Sequence, residues 1–368
     1  MKKNIIFLII FLSVFLSGSY SETIEKQLEI AEESNFSEVL SENTLDFLNR
    51  IGLEELSYEK LSSISFSDFI NIVIESILKK IKEPFKAILS VTACAIICSL
   101  IQNFMENSYR TEKIVNSVAT ISAASVFLLP LNEIIKNSAM VIKECSDFML
   151  CFIPVYSSAI IASGNLSSAT GFRTLMLGVS SVISRLSDEI IVPLISIYIA
   201  MCIASAVSDI KIAEISKTIK NFAVWVLTAS ATIFSGIMSL GTIVSSSGNS
   251  AFSKTAKLLI GTAVPIVGGT VSEALSTLKS CLEITRNILG TYAIIVIAII
   301  FIPSIISLLS WKICLSVSAG ITETIEYKNL SSLLSSASSV TGIMLALTVI
   351  TAVLFIFSVS IMLLIGGN

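Results

Sequence analysis

Seven stretches of at least nineteen consecutive residues contain no Asp, Glu, Lys or Arg: 87–105, 114–132, 148–172, 190–208, 221–253, 287–311 and 329–368. A charged side chain at the centre of a bilayer costs about 2.5–3.5 kcal/mol on the insertion scale, whereas Leu, Ile, Phe or Val gains about 0.3–0.6 kcal/mol. Charge is kept out this thoroughly only where a chain crosses lipid, and roughly 20 apolar residues suffice for one helical crossing. The pattern predicts an all-α, polytopic helical membrane protein with about seven (six to eight) transmembrane helices. Two shorter charge-free runs, 174–184 and 258–272, read as surface helices, re-entrant segments or an additional span. Composition agrees. Charged residues make up 14% of the chain and hydrophobic residues 54%, against about 25% charged in a soluble domain, and the mean hydropathy is +0.87.

Whole classes of chemistry are missing. The chain has no histidine, which excludes Ser-His-Asp and Cys-His nucleophile pairs and every His-ligated metal site. A net charge of −3 leaves no basic footprint for nucleic acid. No phosphate-binding glycine loop, H-E-x-x-H or paired-carboxylate hydrolase pattern is present, so no enzyme activity, cofactor or metal is expected. Seven cysteines are scattered, and although Cys94 and Cys98 share a helix face, no second pair completes a metal site. They read as small buried hydrophobes.

The N-terminus has the layout of a secretory signal over residues 1–19. Lys2 and Lys3 precede an apolar run at 5–16, and Ser17-Gly18-Ser19 offers a cleavage site. Residues 20–83 follow as an acidic segment holding fourteen of the twenty-seven acidic residues and six basic ones, delivered by the signal to the extracytoplasmic side. Its apolar residues are loosely spread, as in short helices, until Phe66, Phe69, Ile70, Val73, Ile74, Ile77, Leu78 and Ile81 line up at helical spacing. That spacing predicts an amphipathic helix over 66–81, stopped at Pro84. Its stripe suits a membrane surface, a partner helix or its own small domain. Residues 85–368 form the transmembrane domain. Basic residues do not orient it, because an outside N-terminus with seven spans puts eight Lys or Arg in the inner loops and seven in the outer ones.

Inside the membrane part, Gly261-Thr-Ala-Val-Pro265-Ile-Val-Gly268-Gly269 interrupts an apolar run, with Lys254 and Lys257 before it and Glu273 after it. Pro265 removes a backbone donor, and Gly268 and Gly269 permit non-helical backbone. The segment is either a Pro kink with glycine packing or a broken helix lining a cavity, the setting in which irregular backbone survives at membrane depth.

Three blocks carry a family resemblance: CFIPVYSSAIIASGNLSSATGF at 151–172, SKTAKLLIGTAVPIVGGTVSEALSTL at 253–278 and NILGTYAIIVIAIIFIP at 287–303. With the signal, the acidic segment and the final apolar span, this order resembles the stage III sporulation protein AE family, from roughly residue 60 to the C-terminus. The resemblance implies a membrane protein made in the mother cell and placed in the membrane around the engulfed forespore. It implies partners from the same operon, including a cytosolic ATPase and ring-forming proteins, in a secretion-like channel. It brings no catalytic residues. A small-solute permease working with an ATPase, and a passive membrane scaffold, are the competing readings.

Overall fold

The structure, a computed structural model, describes residues 39–51, 66–104, 109–162, 166–207, 215, 217–236, 268–325 and 327–365. The signal at 1–19 lies outside them. Every described element is helical: α1 (Glu42–Arg50), α2 (Phe66–Phe104), α3 (Tyr109–Ala162), α4 (Leu166–Arg185), a π-helical turn (Leu186–Ile191), α5 (Val192–Val207), α6 (217–236), α7 (Gly268–Thr324) and α8 (Lys328–Ile365).

The last two helices form the axis of the bundle. They fold back on each other through a tight turn in which Tyr327 N donates to Thr322 O (3.0 Å) and Ser331 N to Tyr327 O (2.9 Å). Hydroxyls then set their register. Ser331 Oγ donates to Ala319 O (3.0 Å), Ser316 and Ser338 share a bond of 2.7 Å, and Ser338 Oγ donates to Lys312 O (3.2 Å). Small residues bring such helices close enough for hydroxyls to reach a neighbouring backbone. At the far end Gly290 makes the approach possible, because a Cβ there would stand 2.5 Å from Leu363 Cδ2. Helices α2, α3 and α1 pack on α7, while α3, α4 and α5 pack on α8. The core they share is rich in aromatic side chains, with Trp311, Phe301, Phe355 and Phe127 buried. A ladder of Phe148, Phe152 and Tyr156 runs along one face of α3, with ring centroids 5.6 and 5.3 Å apart.

Two expectations change. The helix that begins at Phe66 does not stop at Pro84 but continues to Phe104. A proline inside a helix loses one hydrogen bond and strains the turn before it, at a cost of about 3 kcal/mol. Here the ring of Pro84 is buried, and the apolar run beyond it packs against α3 and α7, with Val91 and Ala95 in the core. Helices α3 and α7 likewise run through Pro130, Pro154 and Pro303.

The charge-free runs also do not each become a separate crossing. Runs 114–132 and 148–162 lie on the single helix α3, whose 54 residues extend about 81 Å at the helical rise. Absence of charge marks where lipid or core is met, not where the chain turns. Between the two runs, Leu131, Ile134, Ile135, Ser138, Ile142, Cys145, Phe148 and Met149 stay buried at helical spacing, so the helix has reason to continue. Likewise α4, the π turn and α5 form one rod. Among the described residues, Met176–Ala206, Leu289–Thr324 and Lys328–Leu363 are long and apolar enough to cross a membrane.

The rod keeps one face inward: Met176, Val179, Ser180, Ile183, Ser187, Ile191, Ile195, Tyr198, Cys202 and Ala206 are all buried. Around the π turn the buried positions recur every four residues, wider than the 3.6 of an α-helix, and the wider turn absorbs the difference.

The close approach at Gly290 generates a prediction. Gly290→Leu should destabilise the detergent-solubilised protein by about 1–3 kcal/mol through overpacking, read as a lower melting temperature. Leu363→Ala in the same chain should restore part of the loss. Gly178→Ala, which meets nothing within 4 Å, should leave melting unchanged.

Candidate functional site

The heights of the helices can be read against one another. Ser304 Oγ of α7 donates to Ser138 Oγ of α3 (3.1 Å), and Ser138 donates to Ile134 O (2.8 Å). Farther along, Phe127 and Leu128 of α3 meet Tyr198, Ile199 and Cys202 of α5 and Leu333, Ser336 and Ala337 of α8 around a cavity of about 10 Å³. The hairpin register puts that stretch of α8 opposite roughly residues 313–317 of α7. Helix α3 therefore runs antiparallel to α7. Its residues 133–147 lie beside about 295–309, within the charge-free run 287–311, with Lys143 level with its centre and Glu133 near its end at Lys312.

That part of α3 has two faces. One is the buried face described above. The other carries Glu133, Lys136, Asn137, Met140 and Lys143, all exposed, followed by the half-buried Glu144 and Asp147. Their spacing of three and four residues makes them one continuous stripe. The π turn adds to it. Asp188 and Glu189 are exposed there, and the Lys143 ammonium attracts the Asp188 carboxylate across the contact between α3 and the turn. Beside them Ser187 is fully buried, and its Oγ has no hydrogen-bond partner among the described residues. Single π-helical turns inside α-helices recur at functional sites.

Glu144 has a structural task as well. Its Oε1 accepts from Thr44 Oγ1 (2.7 Å) and from the backbone N–H of Ser41 (2.9 Å). Ser41 is the N-cap of α1, its Oγ accepting from Thr44 N (3.4 Å). One carboxylate thus clips the start of α1 onto the stripe. Leu48 seals the contact from below with 2% of its surface exposed, and Leu40 is buried beside it. At the other end of α1, Arg50 pairs with Asp46 (3.0 Å) and, more loosely, with Glu75 of α2 (3.7 Å). These pairs are half-exposed and contribute little.

The residues singled out from the sequence stand apart from this stripe. Phe66, Ile70, Val73, Ile74 and Ile77 are all on α2. Of the amphipathic stripe, Ile74, Leu78 and Ile81 point outward, from 40% to 61% exposed, and Phe85 and Leu89 carry the same outward line past Pro84. Gly268 and Gly269 take helical backbone in the first turn of α7, while Lys254, Lys257 and Pro265 lie outside the described residues. Sequence reasoning missed the charged stripe because it treated 133–147 as a loop between two spans. The signal that finds it is the apolar period continuing unbroken through those fifteen residues.

Known proteins provide an independent comparison. A family model described as Stage III sporulation protein AE matches residues 53–366, which take in α2 through α8 and leave α1 outside. Stage III sporulation protein AE of Bacillus subtilis (strain 168) is 24% identical over 217 residues. The match covers 58% of this chain and 54% of that relative, about half the length of each. No solved structure matches this chain.

The clip at Glu144 can be tested directly. A hydrogen bond to a charged group contributes about 1.5–3 kcal/mol. Glu144→Ala should therefore raise amide hydrogen exchange over residues 42–50 by roughly 10- to 100-fold while exchange in α7 and α8 stays as it is. Unchanged exchange over 42–50 would mean that Leu48 and Leu40 alone hold α1 down.

Proposed function

This chain belongs to the stage III sporulation protein AE family, and from that premise we propose that it is a non-enzymatic, multi-pass membrane subunit of the channel complex that joins mother cell and forespore during endospore formation. Its place is the mother-cell membrane around the forespore, and its partners are the other subunits of that complex, including a cytosolic ATPase and ring-forming proteins.

The observation that carries this reading is the charged stripe on α3, level with the most apolar part of the central hairpin. Lipid cannot solvate Glu133, Lys136, Lys143 and the carboxylates around them, since each charge in hydrocarbon costs about 2.5–3.5 kcal/mol. Ionisable groups at membrane depth face a bundle interior or a water-filled cavity and mark transport paths. In this subunit the stripe lines a hydrated path completed by neighbouring subunits. Helix α1 bears on the direction. It carries exposed Glu42, Asp46 and Arg50 and sits on the stripe through Glu144, so the path is wet where α1 docks. With residues 20–83 delivered by the signal to the extracytoplasmic side, the path opens on that side. The outward line from Ile74 to Leu89 on α2 serves lipid or a partner helix.

Thiol accessibility is the decisive measurement. In a background lacking native cysteines, single cysteines at Glu133, Lys136, Asn137 and Lys143 should react with a membrane-impermeant thiol reagent added from the extracytoplasmic side. A cysteine at Val353, exposed on the apolar half of α8, should not. Protection of all four stripe positions would overturn the hydrated path. In sporulating cells, Lys136→Leu together with Lys143→Leu should abolish spore formation at unchanged protein abundance. The purified protein should show no ATP hydrolysis of its own.

A further inference from the structure

Two lysines converge on one spot of α8, away from the α3 stripe. Lys220 of α6 donates from Nζ to Ser339 Oγ (3.0 Å), and the Ser339 hydroxyl donates in turn to the Ser335 carbonyl O (3.0 Å). Lys312 of α7 lays the end of its side chain over Gly342. A Cβ at Gly342 would stand 3.4 Å from Lys312 Cε and 3.6 Å from its Nζ. Ser339 and Gly342 are three residues apart and so neighbours on one helix face, and the two ammonium groups reach adjoining positions of it.

Neither lysine has a carboxylate within 4.0 Å among the described residues, and Lys312 has no acceptor there at all. Two like charges held this close with no counter-ion repel each other unless an anion joins them. The spot is also open, since Lys312 is exposed and Lys220 and Ser339 are half-buried.

Its height identifies the anion. Lys220 is the last charge before the run 221–253, and Lys312 is the first charge after the run 287–311. Two helices thus end their apolar stretches at the same level of α8. From Gly342 to Ile365, α8 carries no charge for 24 residues, about 36 Å at the helical rise, enough to cross a hydrocarbon core of about 30 Å. Just inside that level Phe222 and Trp225 stack with centroids 6.1 Å apart, both exposed, as aromatic side chains do at a membrane–water boundary. Phosphate is the anion found at that depth.

We propose that Lys220 and Lys312, held over Ser339 and Gly342, bind the phosphate of an anionic phospholipid headgroup. The ammonium groups supply the charge, the Ser339 hydroxyl, itself bonded to the Ser335 carbonyl, fixes Lys220, and Lys312 lies in contact distance over Gly342. The site needs only the membrane boundary and stands whether or not the α3 stripe conducts.

Native mass spectrometry of the full chain, released from nanodiscs containing equal parts phosphatidylglycerol and phosphatidylcholine, reads the proposal out. The wild-type protein should retain phosphatidylglycerol in preference to phosphatidylcholine. Each of Lys220→Gln and Lys312→Gln should cut that preference by about fivefold, the effect of one lysine at an anionic surface. Lys312→Arg should keep most of it. Gly342→Val leaves both charges in place but displaces Lys312, and it should weaken the preference as well. An unchanged preference in the double Gln variant at unchanged melting temperature would overturn the site. So would full displacement of phosphatidylglycerol by millimolar inorganic phosphate or glycerol phosphate, which would make free phosphate the ligand. Should the Gln variants fail to fold, Gly342→Val and Lys312→Arg still decide, because equal lipid preference in those two overturns it.

Discussion

The hydroxyl contacts between α7 and α8 hold the reference against which every other helix is placed. Ser331, Ser338 and Ser316 fix the two helices residue against residue, and Gly290 lets them stay close to their far ends. In hydrocarbon, helices gain little from burying apolar surface against one another, so packing and such polar contacts must specify the pairing. Once the hairpin is fixed, a single further bond from Ser304 to Ser138 and one side-chain crevice suffice to set the height of α3. The candidate site inherits its depth from this chain of contacts.

The stripe on α3 sets two demands against each other. Its inner face belongs to the core, with Phe148, Met149 and Phe152 fully buried, and its outer face holds charges of both signs. A helix with one dry and one wet face is ordinary at the surface of a soluble protein. Beside the most apolar stretch of α7 it requires a second polar surface to face. Helix α1 is one such surface, and it comes from the acidic N-terminal segment that precedes the matched family region.

Much of the fold was legible because charge avoidance is a strong signal. The run 287–311 and residues 329–365 of the last run lie on α7 and α8, and the helical character of every described element followed from composition. The continuity of α3 was harder to see, since a charged stretch between two apolar runs normally means a loop. Only the inward period from Leu131 to Phe152 contradicts that reading. The docking of α1 had no local signal whatever: Thr44 and Glu144 are 100 residues apart, and nothing near Ser41 names its acceptor. The convergence of Lys220 with Lys312 is hidden in the same way, because it depends on the register of a third helix.

The π turn at Leu186–Ile191 gives the α4–α5 rod a tolerance that a plain α-helix lacks. Its wider turn keeps Ile183, Ser187, Ile191 and Ile195 on one side although they are spaced four apart. Such a turn holds about one residue more than the α-helical turn it replaces. Losing one residue there would let the turn tighten to ordinary α geometry and leave Tyr198 and Cys202 close to the azimuth they have now, against α3 and α8. Losing one residue elsewhere in the rod, with the turn kept wide, would swing them by about 100°. Changes of length in the rod should therefore collect at this one turn, which can give up a residue without moving the helix beyond it.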